Sequence, residues 1–445
     1  MSWSNKVSYV LLLFTVIFTA LAYGTVHQPI IAVFYVVVAA MTVLWVIDGY
    51  NTGEFNISLS PLQLPLVGAA VYGFIQTVPF GWHTIAGIDN VPRTISVDTF
   101  STRVNALHFA ALSLFFSVGL TLINSAKRIR RTVTVLTIFG FIFAFFAILQ
   151  GVLSPTKIYG IYERQFAQPY GSFVNRHNFA AYMEMTMSLP LALVLTGVIK
   201  RDQRLLYLTA ILLMGVALFL SGSRGGLVAL FAEVLLIVLV TAPMRGGRKI
   251  VLRLALSGAM LAAVIAGTIF VGGESSLTRI AETATSKNVS ANRTQIWTVT
   301  LNVISQNFPF GAGLGAFGVA YTPVDPMSGL ERVEQAHNDY LETVADAGIV
   351  GIGLGALFIF ALVSTFLKNI YVKNDIRRAI AIGSGAGIFA VLIHSLFDFV
   401  LHTTAVSVLF IILMTLLVAS GSVYDDDTNS ESSTNLSHKR KHYRS

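Results

Sequence analysis

Runs of about 20 apolar residues recur along this chain, each long enough to cross the hydrocarbon core of a bilayer as a helix. Backbone in lipid must satisfy its own amides, so only helices or a closed barrel can span. The runs are continuous rather than alternating between apolar and polar, which selects helices. Twelve spans are expected, at about 7–24, 29–48, 64–80, 105–124, 132–154, 178–199, 205–221, 226–241, 250–272, 341–366, 378–399 and 403–421. Composition agrees: 12% of residues are charged, against roughly 25% in soluble domains. The sequence predicts an all-α polytopic membrane protein. Its first run lacks a small-residue cleavage site and reads as a span.

Lysine and arginine orient the bundle, because short cytoplasmic loops collect them. With the N-terminus inside, the inner segments hold 20 of the 30 basic residues, among them the Lys127–Arg131 cluster and the last four. One inner loop, 49–63, departs mildly, with Glu54 and no basic residue. Both termini are expected inside. The net charge of +8 sits in these short loops, so it does not mark a nucleic-acid binder. Cysteine is absent, which excludes disulfides and thiolate metal sites. Residues 1–423 read as the membrane domain, and the polar tail 424–445 as disordered. The outer segment between spans nine and ten, about 273–340, is far longer than a connection needs, which is usual for functional loops. It carries a helical pattern from Arg293 to Gln306, then Pro309, Gly311, Gly313 and Gly315.

Basic residues left on the outer face need a reason. Arg176 lies in Asn175-Arg176-His177-Asn178, Arg224 at the tip of a tight hairpin in Ser221-Gly222-Ser223-Arg224-Gly225, and Arg293 at the start of the loop helix. The plain reading is that each anchors a helix end at the interface. Together with the loop they point to an anion site, since guanidinium groups bind phosphate oxygens bidentately. His337, in Ala336-His337-Asn338-Asp339 before span ten, is the acid–base candidate by its ordinary pKa; its plain reading is a histidine satisfying a loop carbonyl. Gly348, Gly351 and Gly355 follow on that span, at a spacing suited to close helix packing. His394, Asp398 and His402 recur at every fourth residue, one face of a helix. A polar network supporting the site is preferred there to a metal site, and Glu184 and Glu233 within spans are read likewise.

These segments carry a resemblance. His337-Asn338, nine residues, then Gly348-Ile349-Val350-Gly351 resembles the histidine motif of O-antigen ligases: His, then Asn, Ser or Gln, nine residues, Gly, two residues, Gly. Gly171 to Ala180, Ser221 to Gly225, Arg293 with Trp297, and His394-Ser395-Leu396-Phe397-Asp398-Phe399 are similar to stretches of the wider ligase and polymerase superfamily. The resemblance covers about Gly171 to His402; the first 130 residues match in hydropathy only.

It implies a GT-C-like glycosyltransferase of the bacterial inner membrane with its site on the periplasmic face. The donor would be a polysaccharide on undecaprenyl pyrophosphate; the acceptor would be a sugar hydroxyl of the lipid A core or of a second lipid-linked glycan. The family's essential histidine and two arginines correspond to His337, Arg224 and Arg293. Arg176, Asn178, Asn338, His394 and Asp398 are the further candidates for substrate binding. Many GT-C enzymes recruit a metal through acids of the first outer loop. Here that loop, about Thr25 to Gln28, has no carboxylate, so arginines are expected to replace the metal, without any cofactor. In-line attack would invert the anomeric carbon. The rival within the class is the polymerase. From another class comes a lipid-linked glycan flippase, disfavoured because no internal repeat is evident and the long loop suits catalysis better.

Overall fold

The apolar runs become helices. The computed structural model describes residues 2–55, 57–85, 87–163, 168–241, 258, 288–327 and 332–422. Thirteen α-helices follow in order among these residues: α1 (Trp3–Leu21), α2 (Gln28–Thr52), α3 (Gln63–Gln76), α4 (Thr99–Leu122), α5 (Ala126–Leu153), α6 (Arg176–Thr196), α7 (Arg201–Leu220), α8 (Arg224–Thr241), α9 (Asn288–Asn307), α10 (Phe317–Tyr321), α11 (Asp339–Asn369), α12 (Asp375–His394) and α13 (Thr404–Ser422). Ten are long and apolar enough to cross a membrane: all but α3, α9 and α10. The expected span at 250–272 and the tail 424–445 lie outside the described residues. The expected span at 64–80 is a correction. Its helix, α3, has 14 residues, about 21 Å at 1.5 Å per residue, short of a hydrocarbon core of about 30 Å. The chain leaves the helix at Thr77, ahead of Pro79, and forms an antiparallel hairpin of β1 (Gly81–Ile85) and β2 (Ile88–Arg93). A smaller ladder pairs β3 (Lys157–Ile158) with β4 (Tyr162–Glu163).

The bundle is built around α6, α12 and α13. Of the most apolar stretch of α6, 94% is buried inside the protein, against 17% for α2 and for α11. Yet α6 is the least apolar of the ten and α2 the most. In lipid the outer helices must be apolar, while a central one can carry Glu184, Thr186 and Ser188 into the protein interior. Small residues bring α12 onto α6: a Cβ on Gly387 would sit 2.5 Å from Ser188 Oγ. Such positions let helix backbones approach closely where no hydrophobic effect drives them together.

The outer segment is held by the break in α11. Gly348 has φ +55° and ψ −137°, open to glycine because it lacks a Cβ. The interruption leaves carbonyls without helical donors, and the 309–315 stretch supplies them. Ala312 N–H donates to Ala345 O at 2.8 Å and Gly313 N–H to Asp346 O at 2.9 Å, while Ile349 N–H donates to Pro309 O at 2.9 Å. The Gln76 amide joins the same seam, donating to Phe310 O at 3.1 Å and Asp346 O at 2.9 Å and accepting from Leu314 N–H at 3.0 Å. The three glycines therefore do not share one packing role. Gly348 breaks the helix, and a Cβ on Gly355 would meet nothing within 4 Å.

Candidate active site

The connections at one end of the bundle converge. They are the entry to α6, the α7–α8 hairpin, α9, the entry to α11 and the α12–α13 connection. Local chemistry fixes each. Asn175 caps α6, its Oδ1 accepting from His177 N–H at 2.8 Å. Gly222, at φ +67°, turns the hairpin. Asn338 caps α11 by accepting from Tyr340 and Leu341 N–H, both at 3.0 Å, and its amide donates to Leu396 O at 3.1 Å. The α11 and α12 ends are thereby joined, with Asp339 N–H also donating to Ser395 O at 3.0 Å.

Asp398 is the hub. It is buried, 1% exposed, and its Oδ1 lies 3.1 Å from His337 Nδ1 and accepts from Phe399 N–H at 3.0 Å. Its Oδ2 accepts from Arg293 Nη2 at 3.3 Å and lies 3.7 Å from His177 Nδ1. Burial alone would raise its pKa. The His337 hydrogen bond and the charges of His177, His337 and Arg293 outweigh burial and hold the carboxyl well below the usual range. It is therefore an anion at any physiological pH. An anion on Nδ1 fixes that nitrogen as the protonated one, so Nε2 carries the lone pair. Among the described residues Nε2 of His337 makes no hydrogen bond, and the side chain is 34% exposed. The Phe399 ring stands edge-on to the imidazole, 4.9 Å between centroids.

Behind Asp398 a second polar chain runs into the bundle. His177 Nδ1 is 2.9 Å from Ser223 Oγ, which is 3.4 Å from His394 Nε2; His394 Nδ1 is 3.2 Å from Glu184 Oε1. Ser223, His177 and Asp398 do not form a nucleophilic triad. Both contacts of His177 fall on Nδ1, whereas a triad needs one on each ring nitrogen.

Of the residues singled out from the sequence, the fold joins His337, Arg293 and Asp398 directly. Arg224 is exposed at the first position of α8, and Arg176 is half-buried, with Nη1 3.5 Å from where a Cβ on Gly222 would sit. Both arginines therefore belong to the same end. Asn178, Asn338 and His394 are buried and bonded to protein groups; Asn178 donates to Thr403 Oγ1. The expected common face of His394, Asp398 and His402 is not formed. Helix α12 ends at His394, and Val400–His402 is a separate 3₁₀ turn. His394 turns inward to Glu184, Asp398 toward His337, and His402 toward Asp339 and Glu342. Sequence reasoning passed over His177 and Ser223, although both lay inside quoted motifs. What hid them is that their partners are 221 and 46 residues away.

A comparison with family models meets this geometry at its centre. Residues 209–356 match the O-antigen ligase family. The match supports the superfamily resemblance read from the motifs, and with it a multi-pass membrane enzyme of the ligase and polymerase type. No curated protein matches the chain. The O-antigen ligase segment spans about a third of the chain and includes Arg224, Arg293, Trp297, His337 and Gly348. It leaves out Arg176, His177 and Asp398, which the fold brings up from either side.

Proposed function

We propose that the protein is a GT-C-like O-antigen ligase. It transfers a polysaccharide from undecaprenyl pyrophosphate to a sugar hydroxyl of the lipid A core, on the periplasmic face of the inner membrane. Both termini are cytoplasmic, and residues 1–423 form the catalytic membrane domain. The observation that carries this reading is the His337–Asp398 pair with Arg293 on the same carboxylate, His337 and Arg293 both lying within the segment that matches the O-antigen ligase family.

The chemistry follows from that pair. An acceptor hydroxyl is a weak nucleophile, and His337 Nε2 takes its proton as the oxygen attacks the anomeric carbon. Asp398 keeps the proton on Nδ1 and stabilises the imidazolium that forms. The bond to the pyrophosphate oxygen breaks, and that oxygen leaves with the electron pair. Arg224 and Arg293, with Arg176 nearby, neutralise the charge where it develops. Attack opposite the leaving group inverts the anomeric configuration. Arginines do this without a metal, so transfer by purified protein survives EDTA. Asn178, Asn338 and His394 act by holding the helix ends that carry these groups.

A cleft of about 690 Å³ between the start of α4 and the outer segment supports an acceptor site. Its walls include Asp98, Tyr321, Asp325, Arg332 and Gln335, and they do not include His337 or Asp398. Carboxylates, an amide and an aromatic ring suit sugar hydroxyls, and Gln335 stands two residues before His337.

The surface glycolipid of a deletion strain tests the reading. Loss of a ligase leaves bare core while full-length polymer accumulates on the carrier. Core capped by a single repeat would instead identify a polymerase.

A further inference from the structure

His337 has φ +52°, a conformation that histidine seldom adopts and that persists only where the surroundings fix it. Its neighbours show what does so. Ala336 is fully buried. Its carbonyl accepts from Trp297 Nε1 at 3.1 Å, and its N–H donates to Glu342 Oε2 at 2.8 Å. The other oxygen of Glu342, Oε1, lies 3.1 Å from His402 Nε2. Nδ1 of the same ring lies 2.9 Å from Asp339 Oδ1. Asp339 in turn accepts from Leu401 N–H at 3.4 Å and donates its own N–H to Ser395 O.

A histidine with a carboxylate oxygen on each nitrogen carries both protons, because a neutral ring would aim a lone pair at one of them. The side chain is 34% exposed, so burial opposes the charge only in part; the Glu342 charge and the hydrogen bonds to Asp339 and Glu342 outweigh it, and the pKa of His402 lies above the ordinary value. Asp346 from α11 and His108 from α4 also face this ring. Glu342 is buried and also accepts from the Gln335 amide, but neither that amide nor the Ala336 N–H carries a charge to match the carboxylate. With His402 across it, the carboxylate is fixed at both oxygens.

We propose that His402 is a positioning residue for His337: by bridging Asp339 and Glu342 it fixes the carboxylate that grips the Ala336 amide, and thereby the backbone that aims the His337 ring. His402 touches no reacting atom in this account. The proposal rests on His337 being the base.

The test uses full-length protein in detergent, an undecaprenyl-pyrophosphate-linked glycan as donor and a lipid A-core glycolipid as acceptor. His402→Gln is expected to lower kcat about tenfold or more while donor KM stays within about threefold, the signature of a lost transition-state contribution. Glu342→Gln should do the same, and the double variant should be no worse than the poorer single, since both act through one path. On a His337→Ala background, His402→Gln should cost nothing further, because no ring is left to aim. A general loss of structure would lower both backgrounds by the same factor; that result, or an unchanged kcat, overturns the proposal. Should His402→Gln not yield monodisperse protein, Glu342→Gln on the two backgrounds decides it. If His337→Ala itself leaves transfer intact, the base assignment fails first, and the two failures are told apart.

Discussion

Asp398 and Glu184 are both buried acids beside histidines, on opposite sides of Ser223, and their surroundings differ. Asp398 has His337, His177 and Arg293 within 3.7 Å, and His337 reaches the surface. Glu184 has His394 alone, with neither side chain exposed. Its second oxygen, and both oxygens of the fully buried Glu233, have no hydrogen-bond partner among the described residues. The same residue types therefore serve two ends. A carboxylate held by the Arg293 guanidinium and by the His337 N–H stays ionised and can orient a base at a surface. Glu184, sunk among helices with His394 as its one partner, joins α6 to α12. A Cβ on Gly225 would come 2.6 Å from the His394 ring, so the inner cluster also fixes where α8 begins, and with it Arg224.

That comparison breaks or holds on paired substitutions. The largest effect is expected at Asp398. Asp398→Asn removes the anion from His337 and leaves Arg293 facing an amide, and transfer should fall on the order of a hundred- to ten-thousandfold. Glu184→Gln should keep transfer within about tenfold and lower the melting temperature instead, as expected where a buried hydrogen bond of about 0.5–1.5 kcal/mol is lost. Equal losses of rate in the two variants would mean that the clusters work as one unit.

Next in size come two glycines on the same helix. At Gly348 an added Cβ would lie 2.0 Å from Pro309 O, on top of φ +55°. Gly348→Ala should destabilise by about 2–4 kcal/mol and loosen the seam that holds the outer segment. Gly355→Ala should stay within about 0.5 kcal/mol. A thermal melt of each in detergent compares them, and similar melting temperatures would contradict the helix break at Gly348.

The smallest effect concerns pH. The folded pKa of His402 is raised above 6.5 by Glu342 and Asp339. Its contribution to stability is therefore complete below about pH 6.5 and is lost as pH rises through the higher folded value. Wild type should lose melting temperature over that interval, and His402→Gln should lose less. A larger alkaline loss in His402→Gln would show that the ring is not held charged.

The helical fold was legible because lipid imposes one rule on every span, and α6 departs furthest from the outer pattern by being the least apolar and the most buried. Arg293, His337 and Asp398 were legible as residue types in the wrong place for a membrane protein. The roles of His177, Ser223 and Glu342 were not, because each depends on a contact between segments distant in the chain. The four-residue spacing of His394, Asp398 and His402 misled for the opposite reason. Periodicity assumes that the helix continues, and α12 ends at the first of the three. The glycine pattern after His337 likewise hid a break that only the packing of Pro309 against Gly348 makes visible.

If His337 is the base and the arginines hold the leaving group, one measurement separates those roles. Donor affinity and single-turnover transfer are compared for His337→Ala, Arg224→Ala and Arg293→Ala, each first shown to be folded. His337→Ala should bind the lipid-linked donor as wild type does and transfer it about a hundred- to ten-thousandfold more slowly. Both arginine variants should bind it more weakly as well as react more slowly, and Arg293→Lys should restore little, since an ammonium lacks the planar fork. Donor binding lost in His337→Ala, with binding and transfer intact in both arginine variants, would contradict those roles.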